Sequence, residues 1–236
     1  LYGIYGSILL SFFGLALDFV IALNQNINTA IIIFFTMFFI GHMYKNIDFK
    51  KYLKKILYVS LISIILISLA NSNRPDAGLY HLPYIQILNQ EKIIIGLANI
   101  HFRFGTSSII QYLGAINFNY LFGHAGIVVP LSVLVSFFIS FFLEEFLMEK
   151  KIGGKTFKLL FIFLTVVFVL YSFNRYSNFG NDATAALTFL LLIYFFLFEF
   201  DFKSIDNNLL LKIYLISVFL LTQKLFYVIS LLIIFL

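Results

Sequence analysis

The sequence predicts an all-α, polytopic integral membrane protein, and three observations lead there. The chain is 61% hydrophobic and only 11% charged, whereas a soluble domain carries roughly 25% charged residues. Apolar runs of about 20 residues recur along it, each long enough to cross a hydrocarbon core of roughly 30 Å. The segments between those runs divide by charge, with lysines gathered into alternate loops. A transmembrane β-barrel would show short alternating segments instead. The net charge of +5 comes mostly from these loop lysines, so the expected partner is the lipid bilayer and not nucleic acid. With no cysteine, neither disulfide nor thiolate chemistry is available. Tryptophan is absent too, which leaves the 14 tyrosines as interfacial anchors.

Hydropathy places seven spans in one transmembrane domain covering residues 1–236. The runs lie near 2–23, 29–44, 54–71, 124–147, 157–174, 184–200 and 210–232. Between the second and third, "KNIDFKKYLKK" (45–55) carries five lysines. "MEKKIGGKTFK" (148–158) carries four more, and 201–212 adds Lys203 and Lys212. The positive-inside rule assigns these three loops to the cytoplasm. Alternation then puts 24–28, 72–123 and 175–183 outside. The chain begins at Leu1 and ends inside an apolar run, so it is expected to be a piece of a longer protein.

The external loop 72–123 is too long to be a simple connector and too rich in Leu, Ile, Tyr and Phe to be disordered. Two short helices are expected within it, interfacial or re-entrant because each is too short to span. "LPYIQILNQE" starts near Pro83, which suits a first turn; a start at Asp76 would place a kink at Pro83. "SSIIQYLGAINF" is an amphipathic segment entered through Ser107 or Ser108 as a cap. Between them, "GLANIHFRFG" alternates Asn99, His101 and Arg103 with Ile100, Phe102 and Phe104. If extended, it carries its three polar groups on one face, suited to a sugar or phosphate. The glycines at both ends also allow sharp turns, and as an interfacial turn it would pair Arg103 with lipid phosphate.

The arginines are segregated as well. Arg74, Arg103 and Arg175 all fall on the outer side, against the positive-inside bias. An arginine fork binds phosphate or carboxylate bidentately, so an anionic ligand is one explanation and salt bridging another. Asp76, with Tyr80 and His81 close behind, sits just past the third span, where a carboxylate can be a general base or simply a helix cap. His81 and His101 match no compact metal motif; no metal site is assigned, and a divalent cofactor is possible without being indicated. Asp182 opens the sixth span, where the helix dipole favours an acid. Lys224 falls inside the seventh apolar run, about 18 Å above Lys212 on a continuous helix, with Asp18 as one conceivable partner. Glu144, Glu145 and Glu149 read as a solvated cytoplasmic rim.

Three stretches bear a family resemblance. "RPDAGLYHLPYI" resembles the first-loop acid motif of the GT-C class of multi-spanning glycosyltransferases. "GNDATAALTFLLL" is similar to their second outer acid, and "LLTQKLFYVISLL" to their lysine-containing helix. The likeness covers roughly residues 54–236, with three spans ahead of the acid-bearing loop where the class typically has one. "YHLPYIQILNQEKIIIGLANIHFRFG" also resembles a little-characterised bacterial family of large membrane proteins. The GT-C likeness implies sugar transfer from a polyprenyl-phosphate donor to a glycan or lipid acceptor at the outer face of the bacterial inner membrane. Asp76 would be the catalytic acidic position. Arg74, Arg103 and Arg175 would hold the donor phosphate, with Tyr80, His81, Asn99, His101, Asp182 and Lys224 as further substrate contacts. Two other readings stand beside it: a transporter or flippase using Asp18 and Lys224, and a polysaccharide polymerase.

Overall fold

The computed structural model describes residues 1–45, 49–69, 76–106, 108–171, 180–200 and 206–228. All regular structure among them is helical. A helix forms in each of the seven apolar runs: α1 (Tyr2–Asp18), α2 (Gln25–Lys45), α3 (Phe49–Leu69), α6 (Val129–Lys151), α7 (Thr156–Tyr171), α8 (Asp182–Tyr194) and α9 (Asn207–Gln223). Two further helices, α4 (Leu82–Gln90) and α5 (Ile109–Asn117), come from the long loop.

Among the described residues, three helical stretches are long and apolar enough to cross a membrane: Gln25–His42, Gly123–Lys151 and Asp182–Glu199. α1, α7 and α9 are apolar but shorter, at 17, 16 and 17 residues. At 1.5 Å per residue that is about 24–26 Å. For α9 the difference has a local cause. A continuous helix is expected through Lys224, yet α9 stops at Gln223 and Lys224 takes an extended conformation (φ −154°, ψ 119°). The lysine therefore sits at a helix end instead of inside a helix.

Ion pairs join helix starts to helix ends, so that α6 runs opposite to α3 and α7. Lys55 near the start of α3 meets Glu144 near the end of α6 at 2.9 Å. Lys158 at the start of α7 meets Glu145, Glu149 and Glu199 at 3.6, 3.2 and 3.4 Å. This corrects the solvated-rim reading for two of the three acids. Glu149 turns back so that its Oε1 accepts from the Lys155 N–H at 3.0 Å. Glu145 accepts from the Tyr194 hydroxyl at 2.5 Å, and only Glu144 lies in the open.

α6 runs through the middle of the bundle, packed against α1, α3, α5, α7 and α8. Leu134, Phe138 and Phe142 on it are fully buried. Tyr194 packs edge-on against Phe141 and Phe142. Small polar residues let the helices approach closely, as in membrane bundles generally: Ser63 and Ser132 meet across α3 and α6 at 2.9 Å.

The loop helices differ from expectation in one respect each. α4 does carry Pro83 in its first turn. The helical path nevertheless starts back at Asp76, as a π-helical turn over Ala77–His81 in which the Leu82 N–H reaches Ala77 O. The widened turn is how the chain stays helical ahead of Pro83, whose ring would clash with a regular one. α5 begins at Ser108 as anticipated, with Gln111 Oε1 accepting from the Ser108 N–H at 3.0 Å. It does not lie on the surface of the bundle, however: every residue from Ile109 to Ile116 is buried, enclosed by α1, α2, α4 and α6, which suits a re-entrant placement and not an interfacial one.

Candidate functional site

The π-turn decides where the first group of polar side chains stands. Asp76 precedes it and is exposed, Tyr80 is half-buried, and His81 closes it in a buried position. The Tyr80 and His81 rings lie 4.1 Å apart. Gln111, whose Oε1 caps α5, places its Nε2 3.1 Å from His81 Nδ1. The amide nitrogen can only donate, so Nδ1 is the acceptor and the imidazole proton belongs on Nε2. Burial pushes the His81 pKa down, partly opposed by Asp76 and Asp182, with Arg103 pushing the same way as burial. His81 is thus a neutral ring offering an N–H donor.

Arg103 approaches from the loop. Its guanidinium lies 5.4 Å from the Tyr80 ring centroid and 5.1 Å from that of Phe102, within cation–π range. The stretch around it is not extended. It folds as two 3-10 turns, Leu97–Asn99 and Phe102–Thr106, the first entered through Gly96 at φ +90°. Asn99, His101 and Arg103 therefore share no single strand face. Asn99 is exposed on the first turn. His101 instead orders the second turn, its Nδ1 accepting from the Arg103 N–H at 3.2 Å while its ring packs on Phe102 and Phe104.

The third component is the junction of α8 and α9. Asn181 Nδ2 donates to Gln223 O at 2.5 Å, and buried Gln223 donates to Thr188 Oγ1 at 3.1 Å. These bonds set the end of α9 beside the start of α8, and Lys224 Nζ then lies 2.5 Å from Asp182 Oδ1. Asp182 is the first residue of α8, where the dipole favours an acid. The junction abuts His81: a Cβ on Gly180 would come within 3.7 Å of His81 Nε2.

Asp76, Arg103, Asp182 and Lys224 are all close enough to act on the Tyr80 hydroxyl, whose pKa rises mainly through burial and then through Asp76. Charges up to 148 positions apart in sequence thus bear on Tyr80. Arg74 and Arg175 lie outside the described residues. Asn181 belongs to the arrangement, as its place beside Arg175 and Asp182 in the sequence suggests, whereas Gln111 and Gln223 were given no role from sequence. Of those two, Gln111 carried a signal, the Ser-x-x-Gln spacing of a capping box.

Asp18 does not join the group. Lys224 pairs with Asp182, and the Asp18 carboxylate, fully buried, has no hydrogen-bond partner on either oxygen. Among the described residues no group of three or more His, Asp or Glu side chains is placed to hold a metal ion.

The family model for a domain of unknown function, DUF8201, matches residues 1–236, and the chain belongs to that family. No curated protein and no solved structure matches it.

Proposed function

We propose that this DUF8201 member is a membrane-embedded glycosyltransferase, seven-spanning and resident in the bacterial inner membrane. It moves a sugar from a polyprenyl-phosphate donor to a glycan or lipid hydroxyl at the outer face. The observation that carries the reading is the convergence of two cations, two acids and a neutral histidine around Tyr80. Arg103 and Lys224 suit a lipid-linked phosphate, and His81 Nε2–H adds a neutral donor. Asp76, exposed at the head of the π-turn, takes the proton from the acceptor hydroxyl. The acceptor oxygen bonds to the sugar's anomeric carbon as the bond from that carbon to the phosphate oxygen breaks. Polyprenyl phosphate leaves with the electron pair, its charge stabilised by the cations. The transporter reading is weaker, because it needs Asp18 and Lys224 on one path and Lys224 is already paired elsewhere.

The test is sugar transfer by the full-length protein in liposomes, with donor binding measured separately. Asp76→Asn keeps size and hydrogen bonding but loses the basic lone pair, so transfer should fall about 10²–10⁴-fold while donor binding persists. Arg103→Ala should weaken donor binding itself, since that contact precedes reaction. Full transfer by Asp76→Asn would remove the catalytic assignment.

A further inference from the structure

A cavity of about 540 Å³ opens between the start of α2, α4 and the segment that joins α5 to α6, and none of the charged residues above lines it. Six amide side chains line it: Asn24, Gln25 and Asn26 at the start of α2, and Gln86, Asn89 and Gln90 on α4. The α4 amides fall at i, i+3 and i+4, which is one helix face. Three rings complete the wall, Phe118, Tyr120 and His124, over a floor that includes Leu82, Ile85 and Ile127. No Asp, Glu, Lys or Arg is among the lining residues.

The wall is held in place from behind. Buried Asn28 donates to Asn89 Oδ1 at 3.0 Å and to the Ala115 and Phe118 carbonyls at 2.9 Å each. Asn89 Nδ2 in turn donates to Ile85 O at 2.7 Å. Asn24 Oδ1 accepts from the Ile27 N–H, tying down the first turn of α2. The loop carrying Tyr120 is pinned by Thr29 Oγ1, which accepts from the Tyr120 N–H at 3.0 Å. Asn119 Oδ1 adds bonds from the Leu121 and Phe122 N–H groups. Tyr120 itself remains 66% exposed, and Asn26, Gln86 and Gln90 also face out.

We infer that this cleft binds a neutral carbohydrate. Its volume lies in the roughly 300–1,000 Å³ range of small-molecule sites. An amide offers a donor and an acceptor side by side, which matches the adjacent hydroxyls of a sugar. Exposed rings and a small apolar floor suit the C–H faces of a pyranose. A phosphate or carboxylate would find no countercharge here, in contrast to the group around Tyr80. The inference concerns binding alone and stands whether or not the protein transfers sugar.

The sugar can be free or the headgroup of a neutral glycolipid, and the experiment has an arm for each. Full-length protein in nanodiscs is titrated with maltose, cellobiose and di-N-acetylchitobiose by saturation-transfer difference NMR. A second set of nanodiscs contains glucosyl-diacylglycerol, with unsubstituted diacylglycerol as reference, and is read by crosslinking of a photoactivatable analogue. A saturable signal in either arm is expected, weakened about tenfold or more by Gln86→Leu and by Tyr120→Ala; each alters an exposed side chain and leaves the Asn28 framework intact. Soluble disaccharide binding would identify a free glycan, and glycolipid binding alone a lipid-linked one. The inference is overturned if no neutral saccharide binds in either form, or if binding is indifferent to both substitutions. Tighter binding of glucuronate or of a neutral tripeptide, sensitive to the same substitutions, would overturn it as well.

Discussion

Replacing Asp18 should make the protein more stable, the opposite of what most substitutions at a buried site do. Asp18 is the last residue of α1 and is fully buried, with neither carboxylate oxygen hydrogen-bonded. Its backbone is engaged, the carbonyl accepting from the Ile93 N–H at 3.0 Å, so a side-chain change leaves that contact in place. Each buried polar group without a partner costs about 1–3 kcal/mol, more if charged. An acid at a helix C-terminus adds roughly 0.3–1 kcal/mol of dipole repulsion. Asp18→Asn removes the charge but keeps polar atoms; Asp18→Val removes both.

The expected gain is therefore about 1–3 kcal/mol, larger for Val than for Asn. At roughly 2–4 °C per kcal/mol for a domain of this size, the melting temperature should rise by about 2–12 °C. Thermal unfolding of the detergent-solubilised full-length protein, followed by tyrosine fluorescence, measures it. A lower melting temperature in both variants would refute the reasoning, since the carboxylate would then be making a favourable interaction.

Other perturbations have definite signs. Lys158, whose side chain is only 14% exposed, holds three carboxylates, so Lys158→Met should lower the melting temperature well beyond Lys55→Met. The Lys55–Glu144 pair is 55% exposed on both sides, and such pairs contribute about 0–1 kcal/mol. Gly126→Ala should destabilise by about 1–3 kcal/mol or more on thermal denaturation, because the added Cβ would run into the Asn117 carbonyl oxygen. Since the His81 pKa is lowered by folding, its contribution is complete above the unfolded value of about 6.5 and declines as pH falls through the folded one. The acid-side loss of stability should shrink in His81→Gln when melting is compared at pH 7 and 5. A membrane-impermeant thiol reagent should label Asn99→Cys but not Lys151→Cys in intact cells; the reverse pattern would invert the topology.

Local signals were legible in the sequence where the physics is local. Pro83 marked the first turn of α4, and Ser108 with Gln111 marked the start of α5. The alternation in "GLANIHFRFG" misled because a period of two over so few residues does not distinguish a strand from successive 3-10 turns; Gly96 at φ +90° was the clue that favoured turning. Hydropathy carried α9 past Lys224, since an average over apolar neighbours cannot register an ion partner 42 positions away in Asp182. Burial of α5 was equally hidden, because its short apolar sequence suits an interface as well as a bundle interior. Asn28 looked unremarkable for the same reason. Its partners, Asn89, Ala115 and Phe118, are assembled only by the fold.

The Asp182–Lys224 pair separates a structural clamp from a ligand contact. At 2.5 Å the contact is short, yet the side chains are 72% and 44% exposed, and pairs that open to solvent contribute about 0–1 kcal/mol. The alignment of α8 with α9 rests instead on Asn181, Gln223 and Thr188, which neither charge touches. Lys224→Met and Asp182→Asn should each shift the melting temperature by no more than about 4 °C. Under the proposed function, their effects on polyprenyl-phosphate binding should diverge. Lys224→Met deletes a cation that can meet the phosphate and weakens binding. Asp182→Asn removes the acid competing for that cation, so binding holds or strengthens. Affinity measured on the purified full-length variants in nanodiscs decides it. Equal losses of affinity in both, accompanied by a large loss of thermal stability, would make the pair a clamp and take Lys224 out of the site.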